Sequence, residues 1–189
     1  MPLLNPYADT LPDVVTPWDY DLVAWNWEPT NGSPTLTTRL NTAGRLNVHT
    51  IAVPIPITVT NVHVHITATP TALTSGQCGV ALYSGTTLLG SLVTGVDTAW
   101  ASLGFKTHAM SGGPFKIAAG TLLQVALWYN GTTSPGLFRS TSAQTDTSLA
   151  LSAANFRDAL ADTGRTTSAP STLGTKTGSA SIPHWVGLS

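Results

Sequence analysis

Charged side chains are scarce in this chain, which has 8 Lys and Arg and 9 Asp and Glu among 189 residues, for a net charge of -1. Nucleic-acid-binding proteins neutralise phosphates with clustered cations, so this composition excludes DNA and RNA as partners. A free cytosolic protein carries about a quarter charged residues. The low charge therefore suits a surface that is exposed outside cells or packed into a symmetric assembly.

Cysteine and long apolar runs are also lacking. The single Cys78 excludes an internal disulfide, and its alternation with Val80 and Leu82 predicts a small buried side chain. No run approaches the roughly 18 apolar residues of a membrane helix, and the first residues lack the basic and apolar regions of a secretory signal. We therefore expect no membrane partner and synthesis in a cytoplasm.

Short β-rich runs separated by Gly, Ser and Thr turns fill the middle of the chain. Residues 61–67 alternate strictly, with Val62, Val64 and Ile66 on one face, as in a half-buried antiparallel strand. Further strands are predicted at 77–84, 87–92, 105–110, 122–129 and 182–188, and one at 43–60 is interrupted by Pro54 and Pro56. The run at 122–129 is apolar on both faces, which predicts a central strand. A helical turn is predicted at 153–160, with Ser152 as its N-cap.

These patterns predict an all-β fold, a jelly-roll-like antiparallel β-sandwich over residues 41–189 preceded by an extended Pro/Trp-rich N-terminal arm over residues 1–40. The arm contains six prolines, five of them before Asn31, and this density forbids a long helix or a central strand. It is either extended or a set of edge strands strapped across the sandwich. Trp18, Trp25 and Trp27 are too apolar for a disordered tail, so they bury on this chain or on a neighbour. They are the candidate partner-anchoring residues.

Catalytic and metal-binding patterns are weak. His63 and His65 lie two apart on one strand face, where two side chains project side by side, and a third ligand from His49, His108 or a carboxylate stays open. A polar pair on a solvated face explains them more simply, so no metal site and no cofactor are predicted. The chain has no Gly-x-Ser-x-Gly motif and no phosphate-binding Gly-rich loop, so we expect no enzymatic activity.

Aromatic side chains offer a different kind of candidate site, because their faces stack on sugar rings. Trp100 lies in the loop-like segment 97–102, and Tyr129 precedes the turn dipeptide Asn130-Gly131. These two residues are expected to be exposed, and they are the candidate glycan-binding residues.

An ordered series of short segments carries a family resemblance. The segments are TNVHVH at 60–65, LTSGQ at 73–77, ALY at 81–83, LLG at 88–90, TAWAS at 98–102, ALWYNGT at 126–132, LSAANFR at 151–157 and ADTG at 161–164. The series resembles β-sandwich modules in virion proteins of phages that infect actinobacteria, over about residues 45–189. Such modules belong to minor tail or fibre-like proteins, and they carry no catalytic residues to transfer. The resemblance implies a role on the virion surface.

We therefore expect a non-enzymatic structural protein on the exterior of a bacteriophage virion, either a minor tail or baseplate component or a capsid decoration protein. Its expected partners are other capsid or tail proteins and further copies of itself, because small β-sandwiches protect their edge strands by assembly. A homo-oligomer is expected, with a trimer as one candidate state. The alternative is a carbohydrate-binding module that recognises a host cell-wall glycan, and the weakest rival is a hydrolase that uses a metal on His63 and His65.

Overall fold

The computed structural model describes residues 15–29, 32–40, 42–140, 157–178 and 183–189. The described part of the chain contains a 3-10 helix at Pro17–Tyr20, one short α-helix, α1, at Val96–Trp100, and sixteen strands. The strands are β1 Ala24–Trp25, β2 Gly32–Arg39, β3 Leu46–Ala52, β4 Ile57–Val59, β5 Asn61–Ala68, β6 Thr71–Leu73, β7 Gly79–Ser84, β8 Thr87–Leu92, β9 Gly104–Ala109, β10 Phe115–Ile117, β11 Leu122–Trp128, β12 Gly131–Thr133, β13 Gly136–Ser140, β14 Asp158–Ala161, β15 Thr177–Gly178 and β16 Val186–Leu188. No helix among the described residues is long and apolar enough to cross a membrane.

Two six-stranded antiparallel sheets form the sandwich. The first sheet has the order β1-β16-β5-β13-β2, and β9 pairs with β5. The second has the order β15-β14-β3-β11-β7-β8, and the pairs β4–β10 and β6–β12 form two small additional sheets. The all-β sandwich predicted from the sequence is confirmed, whereas the jelly-roll connectivity stays a prediction.

The main core lies between the two sheets. Val62, Val64 and Ile66 of β5 are fully buried in it, as their alternation predicted, and they meet Leu123 and Val125 of β11 from the opposite sheet. Burying each of these side chains stabilises the fold by about 1.5–3 kcal/mol. The alternation of β5 thus decides which of its faces enters the sandwich.

A second apolar layer covers the outer face of the second sheet. Trp128 and Tyr83 lie there, and residues 163–173 cross over them. The indole Nε1 of Trp128 donates to the Thr166 carbonyl at 3.0 Å, and the Tyr83 hydroxyl donates to the Pro170 carbonyl at 3.0 Å. Because β11 lies between β3 and β7 and is covered on both faces, its prediction as a central strand is confirmed.

Two local predictions are wrong. Residues 158–160, predicted as the end of a helix, belong to β14, which pairs with β3 so that Ala159 enters the second apolar layer while Asp158 faces the main core. Long-range pairing overrides the helical propensity of this segment. Ser152 lies outside the described residues. Conversely, the loop predicted around residue 97 contains α1, which follows Gly95 in the left-handed conformation at φ 77°.

The segment before residue 40 contributes strands to the sandwich. In the first sheet, β1 pairs with β16, and β2 pairs with β13. The sandwich therefore includes strands from both sides of the domain boundary predicted at residue 40. Residues 1–14 of the predicted arm lie outside the described residues.

Candidate docking surface

The N-terminal segment enters the fold through a capped 3-10 helix. Pro17 occupies its first position, where a missing N–H costs nothing. Asp19 Oδ2 accepts hydrogen bonds from the Thr16 backbone N at 2.7 Å and from the Thr16 hydroxyl at 2.8 Å. These bonds favour the ionised form and lower the pKa of Asp19. The cap stabilises the start of the 3-10 helix, from which the segment with Trp18, Trp25 and Trp27 continues.

Backbone and side-chain hydrogen bonds attach the following residues to β16. The Val23 N–H donates to the Leu188 carbonyl at 2.8 Å. The Asn26 side chain bonds twice: its Nδ2 donates to the His184 carbonyl at 2.6 Å, and its Oδ1 accepts from the Val186 N–H at 3.0 Å. An amide that satisfies both a donor and an acceptor of the neighbouring strand fixes the register of β1. The described part of the N-terminal segment therefore docks on its own chain.

This docking places aromatic rings on the outer face of the first sheet, which we call the outer aromatic face. Trp27 packs against Phe138 at 5.5 Å between ring centroids, Tyr20 lies 6.0 Å from Trp25, and Phe105 lies 5.9 Å from Trp185. The rings of the outer aromatic face are Tyr20, Trp25, Trp27, Phe105, Phe138 and Trp185. A groove of about 210 Å³ is lined by four of them, Tyr20, Phe105, Phe138 and Trp185. Tyr20 and Phe105 stay 51% and 53% exposed. Two large apolar rings that remain half in water suit contact with a partner.

Trp18 lies beside a second, wider groove. Its ring is partly buried and lines a depression of about 810 Å³ together with Ile55, Ile57 and Lys116. Trp25 and Trp27 are also partly buried. The chain itself covers part of each predicted anchor, and an uncovered part of each remains accessible.

The predicted glycan-binding pair is not at the surface. Trp100 is fully buried in the main core, and Tyr129 is 8% exposed. The indole Nε1 of Trp100 donates to His108 Nε2 at 3.0 Å inside the protein. The prediction that these rings are exposed is wrong, because α1 turns Trp100 inward. Neither ring presents a face on which a sugar could stack.

His63 and His65 both project from the outer face of β5, as predicted, but His63 is buried. Its Nδ1 lies 3.1 Å from the Thr107 hydroxyl and its Nε2 lies 2.8 Å from the Ser189 hydroxyl, while the ring stacks on Phe105 at 5.1 Å. Burial lowers the pKa of His63 to about 4. Burial and the positive charge of Lys106 lower the pKa of His65. Because both His63 nitrogens are engaged, this histidine is poorly placed to bind a metal.

Three other side chains come together in the main core: His49, Asp158 and His184, which are 0%, 2% and 0% exposed. Their ligand atoms all lie within 4.8 Å of one another, and this is the only such group of three among the described residues. The sequence pattern suggests His49 only as a third ligand for His63 and His65, and it does not predict a group with Asp158 and His184. His49 lies more than a hundred residues from both Asp158 and His184 in the sequence, so the cluster forms only through the register of the sheets.

No family model matches the chain, and no curated protein or solved structure gives a significant match.

Proposed function

We propose that this chain is a non-enzymatic structural protein of a bacteriophage virion exterior that attaches through its N-terminal segment and outer aromatic face. One observation carries the proposal: the Pro/Trp-rich segment is docked on the sandwich, and it leaves Tyr20 and Phe105 half-exposed around an apolar groove. The low charge of the chain and the resemblance of its short segments to phage virion modules support it further.

The chemistry of the surface favours a protein partner. Aromatic residues dominate the centres of protein interfaces, where charged residues are depleted. The groove is lined by Tyr20, Leu22, Pro29, His65, Phe105, Phe138 and Trp185, none of which carries a full charge at neutral pH apart from protonated His65. Because burial and Lys106 lower the pKa of His65, this histidine is mostly neutral there. Other virion proteins, including sister copies of this chain, are the proposed partners.

The test substitutes exposed rings without removing strands. Deleting residues 1–40 would also remove β1 and β2, so loss of attachment would then report unfolding. Instead, Tyr20→Ser, Phe105→Ser and Trp18→Ala are introduced singly into the phage genome, and incorporation into purified particles is measured. Removing an interface hot spot costs about 2 kcal/mol or more, which corresponds to roughly thirtyfold weaker binding. We expect at least one variant to be depleted from particles about tenfold.

The matched control is Leu103→Ser. Leu103 is 60% exposed and apolar, but it lines neither groove, so its replacement should leave incorporation unchanged. Unfolding curves of the purified variants separate loss of attachment from loss of folding. Normal incorporation of all three surface variants would contradict attachment through this face.

A second candidate function is recognition of a host cell-wall glycan, and the exposed rings of Tyr20 and Phe105 are the observation that favours it. In this alternative the stacking residues would be Tyr20 and Phe105 and not the buried Trp100 and Tyr129. Saturable binding of the wild-type protein to cell-wall polysaccharide, lost on Phe105→Ser and retained on Leu103→Ser, would support it. A sugar site also needs several side-chain hydrogen-bond partners, and the lining of this groove supplies few, which favours the protein partner.

A further inference from the structure

We propose that His49, Asp158 and His184 form a binding site for one divalent transition-metal ion of the zinc class, which links the two sheets of the sandwich. Two imidazoles and a carboxylate are ligands that zinc takes in proteins. The three residues come from both sheets: β3 and β14 of the second sheet carry His49 and Asp158, and His184 precedes β16 of the first. An ion held by all three would act as a cross-link through the core.

The strand register explains why the side chains converge. His49 and Asp158 are directly opposite each other in the β3–β14 pair, and His49 faces the main core like Ile51 two residues later. His184 has the same parity as Val186 and Leu188, which are fully buried in that core. The Asn26 and Trp27 side chains both donate to the His184 carbonyl, so the docked N-terminal segment holds this residue in place.

The distances fit a tetrahedral ion. With metal–ligand bonds of about 2.0–2.1 Å, neighbouring ligand atoms lie about 3.4 Å apart. His49 Nδ1 and Asp158 Oδ1 are 3.2 Å apart. Two imidazoles on one such ion have ring centres about 5 Å apart, and the rings of His49 and His184 are 5.2 Å apart at an interplanar angle of 86°. The three ligand atoms all lie within 4.8 Å of one another, so binding one ion requires side-chain rotations that close the widest pair by up to about 1.4 Å.

The buried imidazole of His49 supplies a second, independent argument for a metal ion. Its imidazole is completely buried, and neither ring nitrogen makes a hydrogen bond within the described part of the chain. Buried polar groups in native proteins are almost always satisfied, because an unmade hydrogen bond there is costly. The 3.2 Å contact of Nδ1 with Asp158 Oδ1 lacks hydrogen-bond geometry, so it satisfies Nδ1 only in part. A metal ion that accepts the lone pair of one nitrogen removes the cost at that nitrogen.

The first test measures metal content and metal-dependent stability of the full chain. Protein stripped with a chelator is titrated with Co²⁺ and then with Zn²⁺, and bound metal is counted by elemental analysis. We expect one equivalent per chain, a visible Co²⁺ spectrum of tetrahedral type that Zn²⁺ displaces, and a rise in Tm. At free zinc 100-fold above Kd, the rise should be roughly 5–10 °C. Less than a tenth of an equivalent with no change in Tm would overturn the proposal.

The second test identifies the ligands. Asp158→Asn preserves side-chain shape, and His49→Gln keeps a polar side chain of similar size. Each should abolish stoichiometric binding and the Tm rise. His63→Gln is the matched control, because His63 is also a buried histidine but both of its nitrogens already have partners. Binding that survives both substitutions, or that is lost in His63→Gln instead, would overturn the assignment.

A third measurement needs no variant, in case the substituted chains do not fold. In the Co²⁺ protein, each histidine ligand gives a strongly shifted imidazole N–H signal in the proton NMR spectrum when its second nitrogen is protonated. Two such signals that disappear on Zn²⁺ replacement support ligation by His49 and His184. Bound Co²⁺ that gives no shifted N–H signal would contradict it.

Discussion

Acid should destabilise this protein well above the pH at which carboxylates titrate, because two buried histidines are held neutral. His108 is 2% exposed, and its Nε2 accepts a hydrogen bond from Trp100 Nε1 at 3.0 Å. An indole N–H can only donate, so His108 Nε2 must be unprotonated. Burial, with smaller effects from the charges of His63 and Lys106, lowers the pKa of His108 to about 4. Burial lowers that of His63 to about 4 as well.

The sign and size of the effect follow from proton linkage. Between pH 6.5, the ordinary pKa of histidine, and pH 4, the unfolded chain binds more protons than the native protein, so the free energy of unfolding falls as the pH falls through this window. Ideal two-state titration gives a loss of about 2 kcal/mol for each histidine between pH 7 and pH 5. Solvent at the edge of His63 screens part of the contribution of this residue. We therefore expect the free energy of unfolding to fall by about 2–3 kcal/mol for His63 and His108 together.

Urea unfolding followed by tryptophan fluorescence at pH 7 and pH 5 measures this loss, in buffer containing a chelator so that metal release does not contribute. His63→Gln and His108→Gln should each reduce the difference between the two pH values by about 1 kcal/mol. His65→Gln is the control and should reduce it less, since His65 is only partly buried. Equal stability of the wild-type protein at both pH values, or an undiminished loss in both variants, would refute the reasoning.

Three further predictions concern packing. A Cβ on Gly79 would overlap the Trp128 indole ring, so Gly79→Ala should lower the free energy of unfolding in urea by about 3 kcal/mol, and by less in a Trp128→Phe background. A cost that does not depend on residue 128 would contradict this contact. Leu123→Ala should lower the free energy of unfolding by about 2–5 kcal/mol, whereas Leu103→Ala, at a 60% exposed position, should change it by less than about 0.5 kcal/mol. Similar losses of stability in the two variants would contradict the assignment of Leu123 to the core. Burial raises the pKa of the Cys78 thiol, so a colorimetric thiol reagent should react slowly with native protein and rapidly in urea, and rapid native reaction would show that Cys78 is accessible.

The sequence revealed those strands whose two faces differ. β5 alternates because one side enters the core and the other carries His63 and His65, and the prolines at 54 and 56 mark the break between β3 and β4. Such signals are local, so they can be read without the partner strand. They predict the fold class and most strands of the middle region.

Features that depend on pairing partners could not be read in the same way. The propensities of the segment that contains β14 favour a helix, and only its pairing with β3 makes it a strand. Trp100 has a loop-like neighbourhood, and a single turn of helix carries it into the core. The His49, Asp158 and His184 cluster needs the register of two sheets at once. One local signal was present, since His49 shares a face with Ile51 in a strand whose residues 46–51 are all buried.

The most direct test of the proposed function is to purify phage particles from the source of this sequence and to measure, by quantitative mass spectrometry, the copy number of the chain relative to the major capsid protein. The account predicts that the protein is an intrinsic particle component. A ratio near one, or a simple fraction of it, would place it on the shell, and a handful of copies would place it on the tail. Absence of the protein from purified particles would contradict the account.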